Sequence, residues 1–411
     1  MLLHWIWYAH RSGVSDWMKK MLLQHFRDPE EIYYAGDHDF DHIDGMTREA
    51  AAALTDRNLQ NAEEILATCL RKNIHLLTWQ DAGYPNRLRN ISDPPMVLYY
   101  KGNLPDIDGS PVIGVVGTRR ASFYGLDVSR RLGYQISKCG GIVASGMAAG
   151  IDGKAVYGGL MGGQSVIGVL GCGVDVVYPL SNRELFEDVR RYGCLISEFP
   201  PGTPPNKWNF PKRNRIIAGI SCGVLVVEAP ERSGALITAN QAAEQGRDVF
   251  VVPGNIDNPA CVGSNRLMRD GAIPVGCGWD VMGEYEGLFP DKIHRSEARD
   301  IPTGKPEQPE NFQREKDFPE AQSGQGKEKT TKKVIDKEQS APYSDVNATM
   351  PQLSEEERIL VDALKHGQRL VDDVIAETGM GTGKLLGLLT MLEIKGVITR
   401  MPGKRICLRS R

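Results

Sequence analysis

No apolar run in the 411 residues approaches the roughly 18 that a membrane-spanning helix requires, which excludes an integral helical membrane protein. The first ten residues, Met1 to His10, lack both a basic n-region and a small-residue cleavage site. A cytoplasmic, unexported protein is therefore expected. Eight cysteines (Cys69, Cys139, Cys172, Cys194, Cys222, Cys261, Cys277 and Cys407) stand singly, with no C-x-x-C pair and no histidine at ligand spacing. Neither a zinc site nor a disulfide framework is signalled, and reduced structural thiols are expected. Histidine is missing from residues 105–290, because the eight present fall at His4, His10, His25, His38, His42, His75, His294 and His366. That removes the usual general base from this stretch. Net charge is nearly absent too: 49 Lys+Arg against 52 Asp+Glu leave −3, so any nucleic-acid site has to be a local patch.

What is present is a soluble globular composition, 41% hydrophobic and 25% charged, in a chain long enough for two to four domains. Residues 1–104 read as a small helical domain with a strand at its end. Within it Ile65, Leu66, Cys69 and Leu70 are expected on one helical face, and the proline-stiffened segment Asn90 to Gly102 leads onward. From 105 to 290 the pattern changes to short apolar runs: Val112–Gly117, Gly141–Ser145, Ser165–Leu170, Cys194–Ser197, Gly223–Glu228 and Asp248–Pro253. Strands apolar throughout belong to a parallel sheet covered on both faces, so this stretch is expected to be a doubly wound, Rossmann-like α/β domain. Residues 291–351, poor in apolar groups, are expected to be a disordered linker. Residues 352–411, three helical stretches opened by a Ser354/Glu357 capping box and followed by a hairpin turning at Pro402-Gly403, read as a winged-helix-like domain.

In an open α/β sheet, ligands bind beyond the carboxyl ends of the strands, where this sequence places Gly-rich or charged turns. Gly168-Val-Leu-Gly-Cys-Gly173 imitates a dinucleotide fingerprint but has the wrong spacing, and Thr378-Gly-Met-Gly-Thr-Gly-Lys384 imitates a P-loop but puts Leu385 where Ser or Thr should hold magnesium. No cofactor or metal is expected. More telling is Gly117-Thr-Arg-Arg-Ala-Ser122, which delivers two guanidiniums to a helix start. Lys207-Trp-Asn-Phe-Pro-Lys-Arg-Asn-Arg215 interleaves cations with rings, a pattern suited to single-stranded nucleic acid. Asp152, Asp175, Glu198, Glu228 and Glu244 are the carboxylates of the stretch, more readily helix caps or arginine partners than acids of a reaction. Ser233, Gly234 and Thr238 form a turn-to-helix segment suited to a phosphate or nucleotide.

In ordered succession the segments Gly117-Thr-Arg119, Ser145-Gly-Met-Ala-Ala-Gly-Ile-Asp152, Leu170-Gly-Cys-Gly-Val-Asp-Val-Val-Tyr-Pro179, Ser197-Glu-Phe-Pro-Pro-Gly202, Phe210-Pro-Lys-Arg-Asn-Arg-Ile-Ile-Ala-Gly219 and Ser233-Gly-Ala-Leu-Ile-Thr-Ala239 resemble the bacterial DNA-processing protein A family, also called Smf. The resemblance implies a non-enzymatic protein that binds single-stranded DNA, protects incoming strands in natural transformation (competence) and loads the RecA recombinase, with homodimers formed through the α/β domain. It also implies DNA contacts at Arg119, Lys212, Arg213 and Asn214, with Gly117, Thr118, Ser145, Gly146, Phe210 and Arg215 beside them. Where many relatives place Ala-His after the Gly-Ile-Asp motif, this chain has Ala155-Val156, in keeping with a non-catalytic site. A competing reading is a nucleotide-processing enzyme. The Ser233–Thr238 turn followed by Glu244 resembles lysine-decarboxylase-like phosphoribohydrolases, although the glycines are fewer and the spacing differs.

Overall fold

The computed structural model describes residues 1–296 and, beyond them, residues 364, 369–370, 374, 378, 388–389, 392, 397–401 and 405–408. The chain divides into two compact units, Met1–Ala321 and Gln322–Arg411. In the first, five helices come before any strand: α1 (Leu2–Ala9), α2 (Asp16–His25), α3 (Pro29–Tyr34), α4 (Arg48–Thr55) and α5 (Gln60–Arg71). Then follow β1 (His75–Thr78), α6 (Asn86–Arg89), β2 (Val97–Gly102), β3 (Val112–Val116), α7 (Phe123–Lys138), β4 (Ile142–Ser145), α8 (Ile151–Met161), β5 (Val166–Val169), α9 (Arg183–Tyr192) and β6 (Cys194–Ser197). The unit continues with α10 (Asn209–Ile220), β7 (Gly223–Val226), α11 (Gly234–Glu244), β8 (Asp248–Val251), α12 (Val262–Arg269), β9 (Ile273–Pro274) and α13 (Gly278–Met282). No helix among the described residues is long and apolar enough to cross a membrane.

Local chemistry places the helix starts. Ser15, Asp28, Thr47, Ser122 and Ser233 each accept a hydrogen bond from a backbone N–H of the following turn, satisfying donors that the helix itself cannot. In α5 the buried face carries Ile65 and Cys69, but Leu70 is 76% exposed, contrary to the expected four-residue stripe. Five residues on from Ile65 at 100° each, Leu70 has rotated about 140° off that face.

Nine strands form one sheet in the order β1-β2-β6-β5-β4-β3-β7-β8-β9. All pairings from β6 to β9 are parallel, and β2 joins β6 antiparallel, with β1 antiparallel beyond it. Every residue of β3 to β7 is buried, as their apolar runs require of a sheet covered on both faces. Alternate side chains feed two cores. Ile113 and Val115 of β3 pack in the core that also holds Trp5, Trp7 and Tyr8 of α1, whereas Val112 and Val116 pack with Ile216, Ile217 and Ala239. The division expected near residue 105 therefore falls inside a continuous sheet and a continuous core, because β1 and β2 extend the sheet and α1 shares its packing. Of the segment expected to be a linker, 297–351 lies outside the described residues.

The second unit has a three-stranded sheet in the order β10-β12-β11, where β10 is Arg369–Leu370, β11 Ile398–Met401 and β12 Arg405–Leu408. Met401 pairs with Arg405 across the hairpin expected there, and helical residues at 374, 388–389 and 392 precede it. The expected helix opening at Ser354 and the turn at Pro402-Gly403 lie outside the described residues.

Ion pairs join the N-terminal helices to α10. Arg215, 3% exposed, donates bidentately to Glu198 (3.1 and 2.8 Å), and also to Asp16 of α2 (3.1 Å) and Asp93 (3.1 Å). Lys212 pairs with Asp16 (2.9 Å) and Glu198 (3.3 Å), and Lys19 with Asp16 (3.4 Å). Burial pushes the Asp16 carboxyl up, but Lys19, Lys212 and Arg215 outweigh it and hold the group below its ordinary value. A depressed carboxyl stabilises the fold above its unfolded pKa, and that contribution is lost as the pH falls through the lower, folded value. Stability in urea should therefore decline below pH about 4, and Asp16→Asn should flatten that decline. Arg215→Met, which removes the bidentate partner of the buried Glu198 and leaves it only Lys212, should cost about 3–5 kcal/mol in the same measurement.

Candidate nucleic-acid interface

The sheet order reverses between β3 and β7, since the chain runs outward from β3 through β4 and β5 to β6 and then returns to the other side of β3. The loops leaving β3 and β7 diverge there and open a crevice. It is a cleft of about 550 Å³, walled by the β3–α7 loop (Gly117 to Arg120), the β7–α11 loop (Pro230 to Ser233) and the first two turns of α10.

Its β3 wall is held by a buried acid. The Glu228 carboxylate accepts from the Ser122 backbone N–H (2.9 Å) and hydroxyl (2.5 Å), and the Glu228 carbonyl accepts from Thr118 N–H (2.8 Å). Gly125 makes this approach feasible, because a Cβ there would lie 2.4 Å from the carboxylate. Glu228 is thus wholly buried and committed to positioning the loop.

On that loop Arg119 and Arg120 are exposed, and the Arg119 guanidinium stands 4.9 Å from the Phe210 ring centre. Phe210 lies 5.6 Å from the Tyr178 ring, so one guanidinium and two rings meet at the mouth of the cleft. Beyond Phe210, the Lys207 ammonium sits 4.6 Å from the ring of Trp208, which is 75% exposed. The lining carries the cations Arg119, Arg120, Lys207, Arg213 and Arg232 against a single carboxylate, Asp152.

Arg213 forms the floor. Its guanidinium donates to the carbonyls of Gly146 (2.8 Å) and Val169 and to the Asn214 side chain (3.2 Å), and a Cβ on Gly146 would lie 2.3 Å from it. Burial pulls its pKa down to about 10, against the pull of Asp152, so it remains charged at neutral pH. Asp152 is itself pushed up by burial, opposed by Arg213 and by the backbone N–H groups of Gly117 and Ala148. Asn214 donates to Gly234 O (3.2 Å), which fastens α10 to the start of α11.

Of the residues expected at the site, Gly117, Thr118, Arg119, Phe210, Arg213, Asn214, Ser233, Gly234 and Thr238 do line one cleft. Four do not. Ser145 is fully buried, with its hydroxyl donating to Val115 O (2.6 Å), and Gly146 lies beneath Arg213. Lys212 and Arg215 point to the other side of α10, into the ion network with Asp16 and Glu198. The reason is helical rotation: Phe210, Arg213, Asn214 and Ile217 share a face at i, i+3, i+4 and i+7, which excludes i+2 and i+5. Among the carboxylates, Asp175 accepts from Lys72 (2.5 Å) and Gly202 N–H (2.8 Å). Glu244 closes α11 at the end opposite Ser233, about 15 Å away by helix rise, so the two parts of the enzyme reading do not meet in one site.

Sequence reasoning missed Arg120, Tyr178, Lys207 and Arg232 as lining residues. Arg120 and Lys207 stood in the two basic runs, and Arg232 in the β7 turn. Tyr178 carried no signal of its own, because only the sheet brings its loop to Phe210. Among the described residues no group of three or more His, Cys, Asp or Glu could hold a metal ion.

The cleft's arginines divide into exposed and structural ones. Arg119→Ala should leave unfolding free energy within about 0.5 kcal/mol of the parent. Arg213→Leu, which leaves two carbonyls and Asp152 without their cation, should lose about 3 kcal/mol or more in urea titrations.

Residues 75–286 match the family model described as DNA recombination-mediator protein A, and residues 345–404 match the DprA winged helix domain. The first match begins at β1, where the sheet itself begins. The chain is 32% identical over 407 residues to Protein Smf of Synechocystis sp., covering 98% of this chain and 97% of that protein. It is 40% identical over 220 residues to DNA processing protein DprA of Bacillus subtilis, covering 54% of this chain and 74% of the relative. The X-ray structure of DNA processing protein A from Streptococcus pneumoniae aligns with a TM-score of 0.62 at 34% identity, over 69% of this chain and 98% of that one.

Proposed function

The chain belongs to the DNA-processing protein A family, and from that premise we propose that it is a non-catalytic binder of single-stranded DNA. The observation that carries this is the meeting of Arg119, Phe210 and Tyr178 at the mouth of a cleft with five cations and one carboxylate. Guanidinium and ammonium groups neutralise phosphates, while ring faces stack bases without regard to sequence. Duplex DNA would hide its base faces from such rings, so the arrangement favours an unpaired strand.

In this reading the protein works in the cytoplasm, protects incoming strands during natural transformation and passes them to the RecA recombinase, acting as a homodimer through the α/β domain. Support for the recombination step is the family's description as a recombination mediator. The proposed contacts are Arg119, Arg120, Lys207, Phe210 and Tyr178, with Gly117, Thr118, Ser233, Gly234 and Thr238 shaping the wall. Arg213 and Asn214 set the floor.

Fluorescence-anisotropy titrations at several salt concentrations test the proposal. Arg119→Ala and Lys207→Ala should each weaken binding of an oligothymidylate and reduce the slope of log K against log salt by about 0.7 per lost phosphate contact. Phe210→Ala should weaken binding by about 1–3 kcal/mol, and Lys212→Ala should leave the slope unchanged. Binding and slope unaltered in Arg119→Ala, Lys207→Ala and Phe210→Ala alike would refute the assignment.

A further inference from the structure

Just past the basic loop, the start of α7 presents two aromatic side chains to solvent: Phe123 is 94% exposed and Tyr124 54%. Phe123 is three residues beyond Arg120, which lines the cleft. Solitary exposed apolar side chains are common on protein surfaces, but this pair is unusual in how firmly it is held. The N-cap Ser122 is fixed through both its N–H and its hydroxyl by the buried Glu228, and Gly125 rests against that same carboxylate. The backbone beneath the rings is therefore locked, which lowers the ordering cost of stacking on them.

A second feature lies one helical stretch further along. Tyr124, Val128, Arg131 and Leu132 of α7 form, with Val252 and Pro253, one side of a groove of about 340 Å³. Tyr124 and Arg131 are seven residues apart and share a face of the helix. Arg131 is half-buried, and among the described residues no ion pair or hydrogen bond engages its guanidinium. Its neighbour Arg130 is instead paired with Asp127 (3.2 Å). Around this groove there is thus an uncommitted cation, a phenol ring and an apolar floor, adjoining a loop already rich in guanidinium.

Building on the single-strand reading of the cleft, we propose that the strand continues out of the cleft across the N-terminus of α7. A base stacks on Phe123, and the next part of the strand enters the Tyr124 groove, with a phosphate on Arg131. Continuity with Arg119 and Arg120 identifies the occupant as the same DNA strand, since an acidic backbone bearing flat apolar faces complements both the free guanidinium and the rings. The binding footprint is then longer than the cleft.

Length dependence tests this on the full chain. Affinities are measured by anisotropy for oligothymidylates of about six and about twenty-five nucleotides with Phe123→Ala, Phe123→Leu, Arg131→Ala and, as the reference for the cleft, Arg119→Ala and Phe210→Ala. The ratio of long-strand to short-strand affinity should fall roughly tenfold in Phe123→Ala, the scale of one lost stacked base. Phe123→Leu, which retains apolar area without a ring, should fall comparably, and Arg131→Ala should lower the salt slope for the long strand. In Arg119→Ala and Phe210→Ala both strands should weaken and the ratio should stay near its parent value. A ratio unchanged in Phe123→Ala and Arg131→Ala while the two cleft variants weaken both strands would overturn the extended track and leave the cleft reading standing. Failure of the cleft variants to weaken either strand would overturn both.

Discussion

Successive residues on a helix are turned 100° apart, and in α10 that rotation decides what every member of a basic run can do. Phe210, Arg213 and Asn214 face the cleft. Lys212 and Arg215, interleaved with them, face Asp16, Asp93 and Glu198. One short helix start therefore builds the wall of a binding cleft on one side and an ionic anchor on the other. Neither can move without the other, since both are fixed to the same backbone.

The anchor explains why five helices precede the sheet. Taking Arg215 out of water is costly, and the cost is offset only because three carboxylates converge on it and satisfy its donors. One of them, Asp16, comes from α2. A second tie has the same form: Lys72, just past α5, reaches Asp175, whose carboxylate also accepts from Gly202 N–H in the loop that leads to Lys207 and Trp208. The N-terminal helices thus tie down both segments that form the aromatic side of the cleft, the β5–α9 loop that carries Asp175 and Tyr178 and the helix α10 that carries Phe210. Together with the apolar packing of α1 against the sheet, these ties make the helical part integral to the site's geometry.

How much of this could be read in advance follows from the range of the forces involved. Strands β3 to β8 were legible because burial on both faces demands continuous apolar runs, and the switch-point turns followed from where those runs end. Their Arg119, Phe210 and Ser233 do come together. Strands β1 and β2 were harder to place, because two short segments become part of the sheet only through antiparallel pairing with β6, a contact roughly a hundred residues away in sequence for Tyr99 and Ser197. Lys212 and Arg215, expected beside the cleft, lie in the ion network on the other side of α10 for a related reason. A basic residue looks the same in sequence whether its partner is a phosphate or a carboxylate, and Asp16 lies about two hundred positions from Arg215. Glu228 was visible as a carboxylate near a turn, but its role of holding Ser122 depends on a pair about a hundred positions apart.

The near-zero total charge acquires a physical meaning from the same pairings. Charges matched within the fold, such as Arg215 with Glu198, cancel at short range and project little field. What remains unmatched governs long-range attraction, and at the cleft the unmatched groups are cationic. They are also of two kinds. Arg213 is buried and rigidly bonded, and its pKa of about 10 keeps it charged at neutral pH, so it contributes a fixed positive potential with no ordering left to occur on binding. Arg119 and Arg120 are exposed, which in the proposed reading leaves them free to adjust to a strand whose phosphates vary in position. A fixed cationic floor beneath exposed cations and ring faces complements what every nucleotide shares, a phosphate and a flat base, which is what the single-strand proposal requires. In the proposed reading the strand is held mainly by cations on phosphates and by ring faces on bases, contacts available from every nucleotide, so binding with little sequence preference is expected of it.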